Sequence, residues 1–442
     1  MLRFGTDGVR GDADTYLTSP SVVALGRAAA RVIGAGEFLI GRDTRESGPR
    51  IDADLTRGFV AEGAHVTSLG VASTPAIAFL AQRAGVPAAI VSASHNPWND
   101  NGVKIVGSDG RKLADELERS IEAELRLHLD PATAPPASGT PSSDAASAAG
   151  AVDLDAYVAH LIGALDGRTL AGVHLVVDCA NGAASELAPR AFAAAGARVD
   201  VINARPDGRN INAGCGSTHP EQLQDAVRAH GADLGLALDG DADRVVAVDE
   251  NGELVDGDQI MVMTALDWHQ RGKLRNDAIA VTVMSNLGLR RALAGADVGI
   301  VETPVGDRNV IAAMAAHDLA IGGEQSGHIV FADLATTGDG VLTGIIISDL
   351  VARRGVSMSA LAAAMTRLPQ VLVNVRVAPG VDVEHPPVQE VVRQVAAELG
   401  DRGRLVVRSS GTEPVVRVMV EAPSEAEAAA AAARVRAALE AG

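Results

Sequence analysis

Short apolar runs alternate along the chain with stretches of helical period, and the alternation repeats. Residues 38–41 (Phe-Leu-Ile-Gly) form an apolar run, followed by a polar turn, a helical pattern over 51–63 and a second strand-like run at 65–69. The same order recurs from 173–178 through a turn at Asn181-Gly182 and a helix ending at 195 to a run at 198–202. It recurs once more from 278–283 through a helix at 287–294 to a run at 299–301. Strand, helix and second strand make a βαβ unit, whose two strands lie parallel in one sheet. The three passages predict three similar α/β domains with mostly parallel sheets.

The end of the chain has a different pattern. Residues 371–377, 404–408 and 414–420 read as strands around two helices, and Ser424 with Glu427 has capping-box spacing before the last, Ala-rich helix. That predicts a smaller α+β domain. Three seams divide the chain. Residues 130–150, rich in Pro, Ala, Ser and Thr, read as a surface loop or linker. Asn251-Gly252 marks a turn inside a seam at 249–257, and a third seam lies at 366–371. The expected domains are 1–150, 151–250, 251–366 and 367–442.

Composition narrows the class. With 442 residues the chain has room for two to four domains, each expected to hold its own core. Apolar residues make up 47% but aromatics only 2%, so Ala, Val, Leu and Ile fill those cores, as in parallel α/β layers. A net charge of −18 argues against nucleic acid and anionic membranes as partners, while an anionic substrate needs a local convergence of basic residues. Cys179 and Cys215 stand outside any CxxC pair and read as reduced, buried thiols. The first eleven residues lack an apolar signal region, and no apolar stretch spans a bilayer, so a soluble cytosolic protein is expected.

Two motifs carry the chemistry. Asp239, Asp241 and Asp243 sit in a turn between the apolar runs 234–238 and 245–248. Three carboxylates at alternate positions repel one another unless a cation joins them, and Mg²⁺ takes oxygen ligands at about 2.0–2.1 Å. Asp239, Asp241, Asp243 and Glu250 also fall at positions 1, 3, 5 and 12 of a calcium loop, but Arg244 stands where that loop needs glycine. A solvated acidic hairpin and an aspartyl nucleophile of the haloacid-dehalogenase kind are the remaining alternatives. The second motif is Ser94 in Ser-Ala-Ser-His-Asn-Pro, after the apolar run 88–91. Asn96-Pro97 favours a turn there. A serine hydroxyl needs a base or a metal to become a nucleophile, and His95 and Lys104 are close in sequence. No G-x-S-x-G elbow surrounds it, which argues against a hydrolase triad. Taken together, the two motifs point to Mg²⁺-assisted phosphoryl transfer through a serine; taken alone, Ser94 is a turn serine.

Three further stretches have binding chemistry, each with an ordinary turn as its alternative. Arg408, Ser410, Gly411 and Thr412, with Arg417 nearby, offer two hydroxyls, loosened backbone N–H groups and two guanidinium groups, which suit a phosphate dianion. No Walker A sequence occurs. The run Gly-Gly-Glu-Gln-Ser-Gly-His at 322–328 presents an acceptor, an amide and a hydroxyl, an inventory for sugar hydroxyls. Near the start, Arg10 lies between glycines, and Arg42 and Arg45 add two cations.

In this order the motifs resemble those of the α-D-phosphohexomutase superfamily and, within it, of the bacterial phosphoglucosamine mutases. The resemblance runs through FGTDGVRG at 4–11, SASHNP at 92–97, NGVK at 101–104, CGSTHPE at 215–221, DGDADR at 239–244, TPVGDRNV at 303–310, GGEQSGH at 322–328 and SGTEP at 410–414. It covers the chain outside residues 130–150. It implies four domains around a central cleft, a phosphorylated Ser94, and Mg²⁺ held by Asp239, Asp241 and Asp243 with that phosphate. It also implies Arg10, His95 and Lys104 close to the reacting centre, with Lys104 a proton-transfer candidate. Arg244, Glu324, Ser326 and His328 would meet the sugar; Arg408, Ser410, Gly411, Thr412 and Arg417 would clamp the non-reacting phosphate.

The implied reaction interconverts glucosamine 6-phosphate and glucosamine 1-phosphate through a glucosamine 1,6-bisphosphate, with glucose 1,6-bisphosphate as an alternative activator. Its product would feed UDP-N-acetylglucosamine and cell-wall precursor synthesis. The implied partners are small sugar phosphates, and the implied state is a monomer or homodimer. Ser409 stands where the family often has lysine, Trp98-Asn99 replaces ring-bearing residues, and Ala242 replaces a frequent glycine. Two alternatives remain: a mutase of broader hexose specificity, and a non-catalytic sugar-phosphate sensor, which could lose Ser94 or an aspartate.

Overall fold

The structure is a computed structural model that describes residues 2–5, 7–129, 154–377, 383–409 and 415–441. The proposed linker at 130–150 and the residues Ser410, Gly411 and Thr412 lie outside them. The first part of the chain runs β1 (Val9–Asp12), α1 (Ser19–Ile33), β2 (Glu37–Arg42), α2 (Gly48–Ala61), β3 (His65–Val71), α3 (Thr74–Ala84), β4 (Ala88–Val91), β5 (Asp100–Val106) and α4 (Asp115–Leu129). Its five strands are ordered β1-β5-β4-β2-β3, with β2 parallel to β3 and β4, and β5 antiparallel to β4 and β1.

The second part comprises α5 (Leu154–Gly163), β6 (His174–Asp178), α6 (Leu187–Ala194), β7 (Arg198–Ile202), α7 (Glu221–His230), β8 (Leu234–Leu238), β9 (Val245–Asp249) and β10 (Leu254–Val255). Its sheet is β10-β9-β8-β6-β7, so the turn at Asn251-Gly252 returns the chain to that sheet. The third part comprises α8 (Gly257–Gln270), β11 (Ala278–Thr282), α9 (Leu287–Ala294), β12 (Gly299–Thr303), α10 (Asp307–Ala316), β13 (Ile321–Gly323), β14 (Ile329–Phe331), α11 (Gly340–Arg354) and α12 (Met358–Ala362). Its order is β12-β11-β13-β14. The last part is β15 (Gln370–Arg376), α13 (Pro386–Leu399), β16 (Arg404–Ser409), β17 (Val415–Glu421) and α14 (Glu425–Ala441), with an antiparallel sheet β15-β17-β16.

The parallel pairing foreseen from the βαβ passages is confined to three strands of each α/β sheet; an antiparallel strand follows in all three. The pairs β4–β5, β8–β9 and β13–β14 occupy the same place in their sheets. Each joins the last parallel strand to its antiparallel neighbour by a turn at the parallel strand's carboxyl end, where open α/β sheets bind ligands. The Ser94, Asp239–Asp243 and Glu324–His328 turns are these connections. The repetition seen in the sequence is therefore also a repetition of site.

One expectation needs correction: the second and third parts share a core. A continuous cluster joins Phe192, Leu236 and Val245 of the second to Ile260, Phe331 and Ile345 of the third. Helix α11 makes the junction. A Cβ at Gly344 would lie 2.8 Å from Phe192 and 2.8 Å from Leu236, so only glycine lets the helix lie this close to β8 and α6. The first part has its own core, with Phe38 stacked on Phe59 at 4.3 Å, and the last part has another. Glu427 N–H donates to Ser424 Oγ at 3.2 Å, capping α14. No helix among the described residues is long and apolar enough to cross a membrane.

Candidate active site

Ser94 lies in the loop between β4 and β5. All four residues of β4 are buried apolar side chains, which anchors the strand and delivers the loop at its end. Ser94 has a left-handed backbone (φ 52°), rare for a residue with a side chain and a form of strain that collects at functional sites. Its hydroxyl donates to Asp239 Oδ2 at 2.5 Å and lies 3.3 Å from His95 Nδ1. The serine of the first domain is thus joined directly to the acidic turn of the second.

Asp239, Asp241 and Asp243 are each at most 4% exposed, and one oxygen from each lies within 4.8 Å of the others. Asp241 Oδ1 and Asp243 Oδ1 are buried without a hydrogen-bond partner. Buried carboxylate oxygens without partners are costly, and a hard cation removes that cost. Burial and the neighbouring charges of Asp243 and Asp241 push the Asp239 carboxyl well up. Burial also opposes ionisation of Asp243, but Lys104 and His328 outweigh it and hold this carboxyl well below the usual range. The all-oxygen donor set fits Mg²⁺, with Ser94 Oγ on the same side. Ala242, in place of a frequent glycine, has φ 58° and its side chain is fully buried. The substitution thus places a Cβ in a left-handed turn.

Lys104 on β5 reaches the triad from the first domain. Its ammonium is 2.9 Å from Asp241 Oδ2, 3.5 Å from Asp243 Oδ2 and 3.1 Å from Asp7 Oδ2. Burial pulls its pKa down, but Asp241, Asp7 and Asp243 raise it further, so the group stays charged. Arg10 on β1 pairs with Asp7, and its buried Nε has no partner. The His95 imidazole is held down to about 4 by burial and by Arg244 and Arg10.

In the third turn, Glu324 Oε1 accepts from Gly306 N–H at 2.9 Å, which ties this loop to the start of α10. Ser326 is exposed and Glu324 half-buried. His328, implied by the resemblance as a sugar ligand, is only 3% exposed. Gly338 N–H donates to its Nε2 at 3.1 Å, leaving Nδ1 to carry the proton 3.7 Å from Asp243. The ring thus lies against Asp243 of the acidic turn. Arg244 donates its backbone N–H to Asp239 Oδ1 at 3.2 Å, and its buried Nε, without a hydrogen-bond partner, lies 3.8 Å from Asp243 Oδ1. In the last domain Arg408 and Arg417 are directly opposed on β16 and β17. Burial and the like charge of Arg417 together pull the Arg408 pKa down.

Several contributors escape motif reading. Thr74, at the start of α3, donates to Asp241 Oδ2 at 2.7 Å. Lys112 bridges Asp7 of the first domain and Asp307 of the third. Trp98, an odd residue for its place, lies under Arg209 of the second domain at 5.0 Å, and Arg209 forks onto Glu46. Arg45, one of the two cations noted near the end of β2, is buried beneath the Ser94 loop. Cys179 and Cys215 are free and buried; burial raises both thiols, Cys215 to about 12, which keeps them unreactive.

Comparison with known proteins follows the same division. Residues 1–128, 155–252 and 256–368 match the phosphoglucomutase/phosphomannomutase alpha/beta/alpha domains I, II and III, and residues 372–438 match the C-terminal domain. The phosphoglucosamine mutase of Symbiobacterium thermophilum is 47% identical over 444 residues, covering 98% of this chain and 97% of that protein. That of Frankia casuarinae is 49% identical over 456 residues, covering 99% and 98%. Among solved structures, a phosphoglucomutase/phosphomannomutase family protein of Burkholderia thailandensis has a TM-score of 0.81 at 26% identity, covering 100% of this chain and 96% of that one. An Aspergillus fumigatus N-acetylphosphoglucosamine mutase, solved with GlcNAc-6P and magnesium, shares the fold at a TM-score of 0.74 and 21% identity, covering 100% and 96%. With four domain matches and near full-length relatives, the chain belongs to the phosphoglucomutase/phosphomannomutase family.

Proposed function

We propose that this chain is a phosphoglucosamine mutase that interconverts glucosamine 6-phosphate and glucosamine 1-phosphate through a phosphorylated Ser94. The observation that carries the reading is the 2.5 Å contact of Ser94 Oγ with Asp239, which sets a strained serine against a buried carboxylate triad. Near full-length identity of 47–49% to phosphoglucosamine mutases supports the amino-sugar substrate.

In the forward half-reaction the free hydroxyl of the sugar phosphate attacks the phosphorus on Ser94. The Ser94 Oγ–P bond breaks, the sugar O–P bond forms, and the hydroxyl proton ends on Ser94 Oγ. His95 Nδ1, 3.3 Å from that oxygen, is placed to pass the proton. Asp239, Asp241 and Asp243 would hold Mg²⁺, which when bound neutralises charge on the transferring group. Lys104 and Arg10 add fixed positive charge beside the triad. Arg408 and Arg417 hold the other phosphate, and Glu324 and Ser326 meet the sugar hydroxyls. The bisphosphate then reorients and returns its other phosphate to Ser94. Charge suits the clamp better than tight shape, since it receives phosphate from either end of the sugar.

The test is ³¹P NMR of the purified protein with Mg²⁺ and a trace of glucose 1,6-bisphosphate, supplied in parallel with glucosamine 6-phosphate and glucose 6-phosphate. A 1-phosphate signal rising much faster from the amino sugar is the expected result. Equal rates make the enzyme a broad hexose mutase. Free inorganic phosphate without any 1-phosphate overturns the mutase reading.

A further inference from the structure

The pair Asp43 and Arg45, in the turn after β2, is absent from the chemistry above, yet it binds the backbone of the Ser94 loop at several points. Arg45 is 1% exposed. Its Nη2 donates to Ser94 O and to Asn96 O, each at 2.9 Å. Its Nη1 donates to Asp100 O at 3.0 Å and to Pro97 O. Its Nε donates to Asp43 Oδ2 at 2.8 Å. Asp43 Oδ2 also accepts from Ser92 Oγ at 2.6 Å, and Ser92 Oγ in turn accepts from Ser94 N–H at 2.9 Å. The contacts close a ring: Ser94 N–H, Ser92 Oγ, Asp43, Arg45 and Ser94 C=O. Asn212 of the second domain covers the same carbonyls, its Nδ2 lying 2.9 Å from Ser94 O and 3.2 Å from Asn96 O.

A loop leaving a strand has no ladder to satisfy its backbone, and buried carbonyls must find donors. Here four carbonyls converge on one guanidinium, and the N–H and C=O of Ser94 are both held by one ion pair. We infer that Asp43 and Arg45 are positioning residues that fix Ser94 in its left-handed conformation, so that its oxygen meets Asp239 at reacting distance. The inference rests on the reading of Ser94 as the phosphoryl carrier. It makes the cation at 45 a matter of shape as well as charge: a planar fork with five donors serves four carbonyls and a carboxylate, and a lysine ammonium with three donors does not. The Arg45 charge is paired with Asp43 beneath the turn, and attraction for phosphate is left to Arg10, Lys104 and the clamp.

The experiment compares wild type, Arg45→Lys, Ser92→Ala, Ser92→Thr and Ser94→Ala. Sites are counted by transfer of ³²P from labelled glucose 1,6-bisphosphate, and kcat is expressed per labelled site, so that loss of folded protein does not enter. Misplacing a reacting atom by about 1 Å costs on the order of 100-fold. Ser92→Ala, which removes one link and little volume, is expected to lower kcat per site by roughly 10-fold or more with KM within about twofold, and Ser92→Thr to restore it. Arg45→Lys is expected to behave as Ser92→Ala or worse; should it not fold, the Ser92 pair decides. Wild-type kcat per site in Ser92→Ala, or a rise in KM alone, overturns the positioning role. Turnover by Ser94→Ala overturns instead the phosphoserine reading on which it rests.

Discussion

Thr74 of the first domain donates its hydroxyl to Asp241 Oδ2 of the second at 2.7 Å, and its backbone N–H to Asp241 O at 3.0 Å. Lys104 donates to the same Oδ2, so Oδ1 is the oxygen left without a partner. The first domain thereby decides which oxygen of Asp241 faces the cation site. Outer-sphere partners of this kind are worth about 10–100-fold in metal affinity. Thr74→Val, which keeps the shape and removes the donor, is expected to weaken Mn²⁺ binding by about 10-fold or more. Thr74→Ser is expected to bind as wild type does. Electron paramagnetic resonance titration of free Mn²⁺ measures both without turnover, and equal affinity in Thr74→Val would show that the hydroxyl has no such role.

The parts of this site legible in the sequence are those in which chemistry is concentrated within a few residues. Asp239, Asp241 and Asp243 lie at alternate positions of one turn, so their convergence needs only that turn, and the buried run before them supplies the strand that ends there. Ser94 needs the same, and the repeated βαβ pattern places both turns alike. Thr74 and Arg45 act across 167 and 49 residues of chain, through contacts that no local spacing encodes. Arg45 is hidden in another way: nothing in its local sequence marks it as buried, and the four carbonyls above it explain its burial. The shared core was hidden because α11 has the apolar pattern of any buried helix; its glycines Gly340 and Gly344 are what hint at a close neighbour.

Arg408 and Arg417 face each other across β16 and β17, a like-charge pairing that a bound anion would relieve. A charge-assisted hydrogen bond is worth roughly 1.5–3 kcal/mol. Arg417→Ala is therefore expected to raise KM for the sugar phosphate by about 10-fold to 100-fold. It should also reduce the rise in Tm that saturating sugar phosphate produces, because less binding energy is linked to the folded state. Unchanged KM and an unchanged ligand-induced shift in Tm would remove Arg417 from the clamp.

Gly327 closes the third turn with φ 90°, and a Cβ there would lie 2.0 Å from Val245 O, the first residue of β9. Its neighbour is backbone and cannot swing aside. Gly327→Ala is expected to cost at least the roughly 1–3 kcal/mol of a strained backbone. It should also push the Glu324–His328 turn away from the metal turn. Both a lower denaturation midpoint and a loss of activity beyond the loss of folded protein are expected; activity tracking folded protein alone would confine the effect to stability.

Asp258, near the start of α8, gives the fold a pH dependence that can be separated from the active site. It is fully buried and accepts Asn286 N–H at 2.7 Å. Burial, then the charge of Asp256, raise its pKa from 3.8 to about 8; the Asn286 contact opposes this, and Glu421, itself paired with Arg404, adds to the rise. In the unfolded chain the carboxyl titrates near its ordinary value. Between about pH 4 and pH 8 the folded state therefore holds a proton that the unfolded state has lost, and stability falls as pH climbs through this range. The contribution is complete below the unfolded pKa and gone above the folded one, with a limiting slope of about 1.4 kcal/mol per pH unit. Asp258→Asn keeps the acceptor and the shape of the protonated acid but cannot ionise. Urea midpoints are expected to fall from pH 5 to pH 8 in wild type and to fall less in Asp258→Asn, the two converging at the acid end. Parallel curves would mean that Asp258 ionises in the folded protein as it does in the unfolded chain.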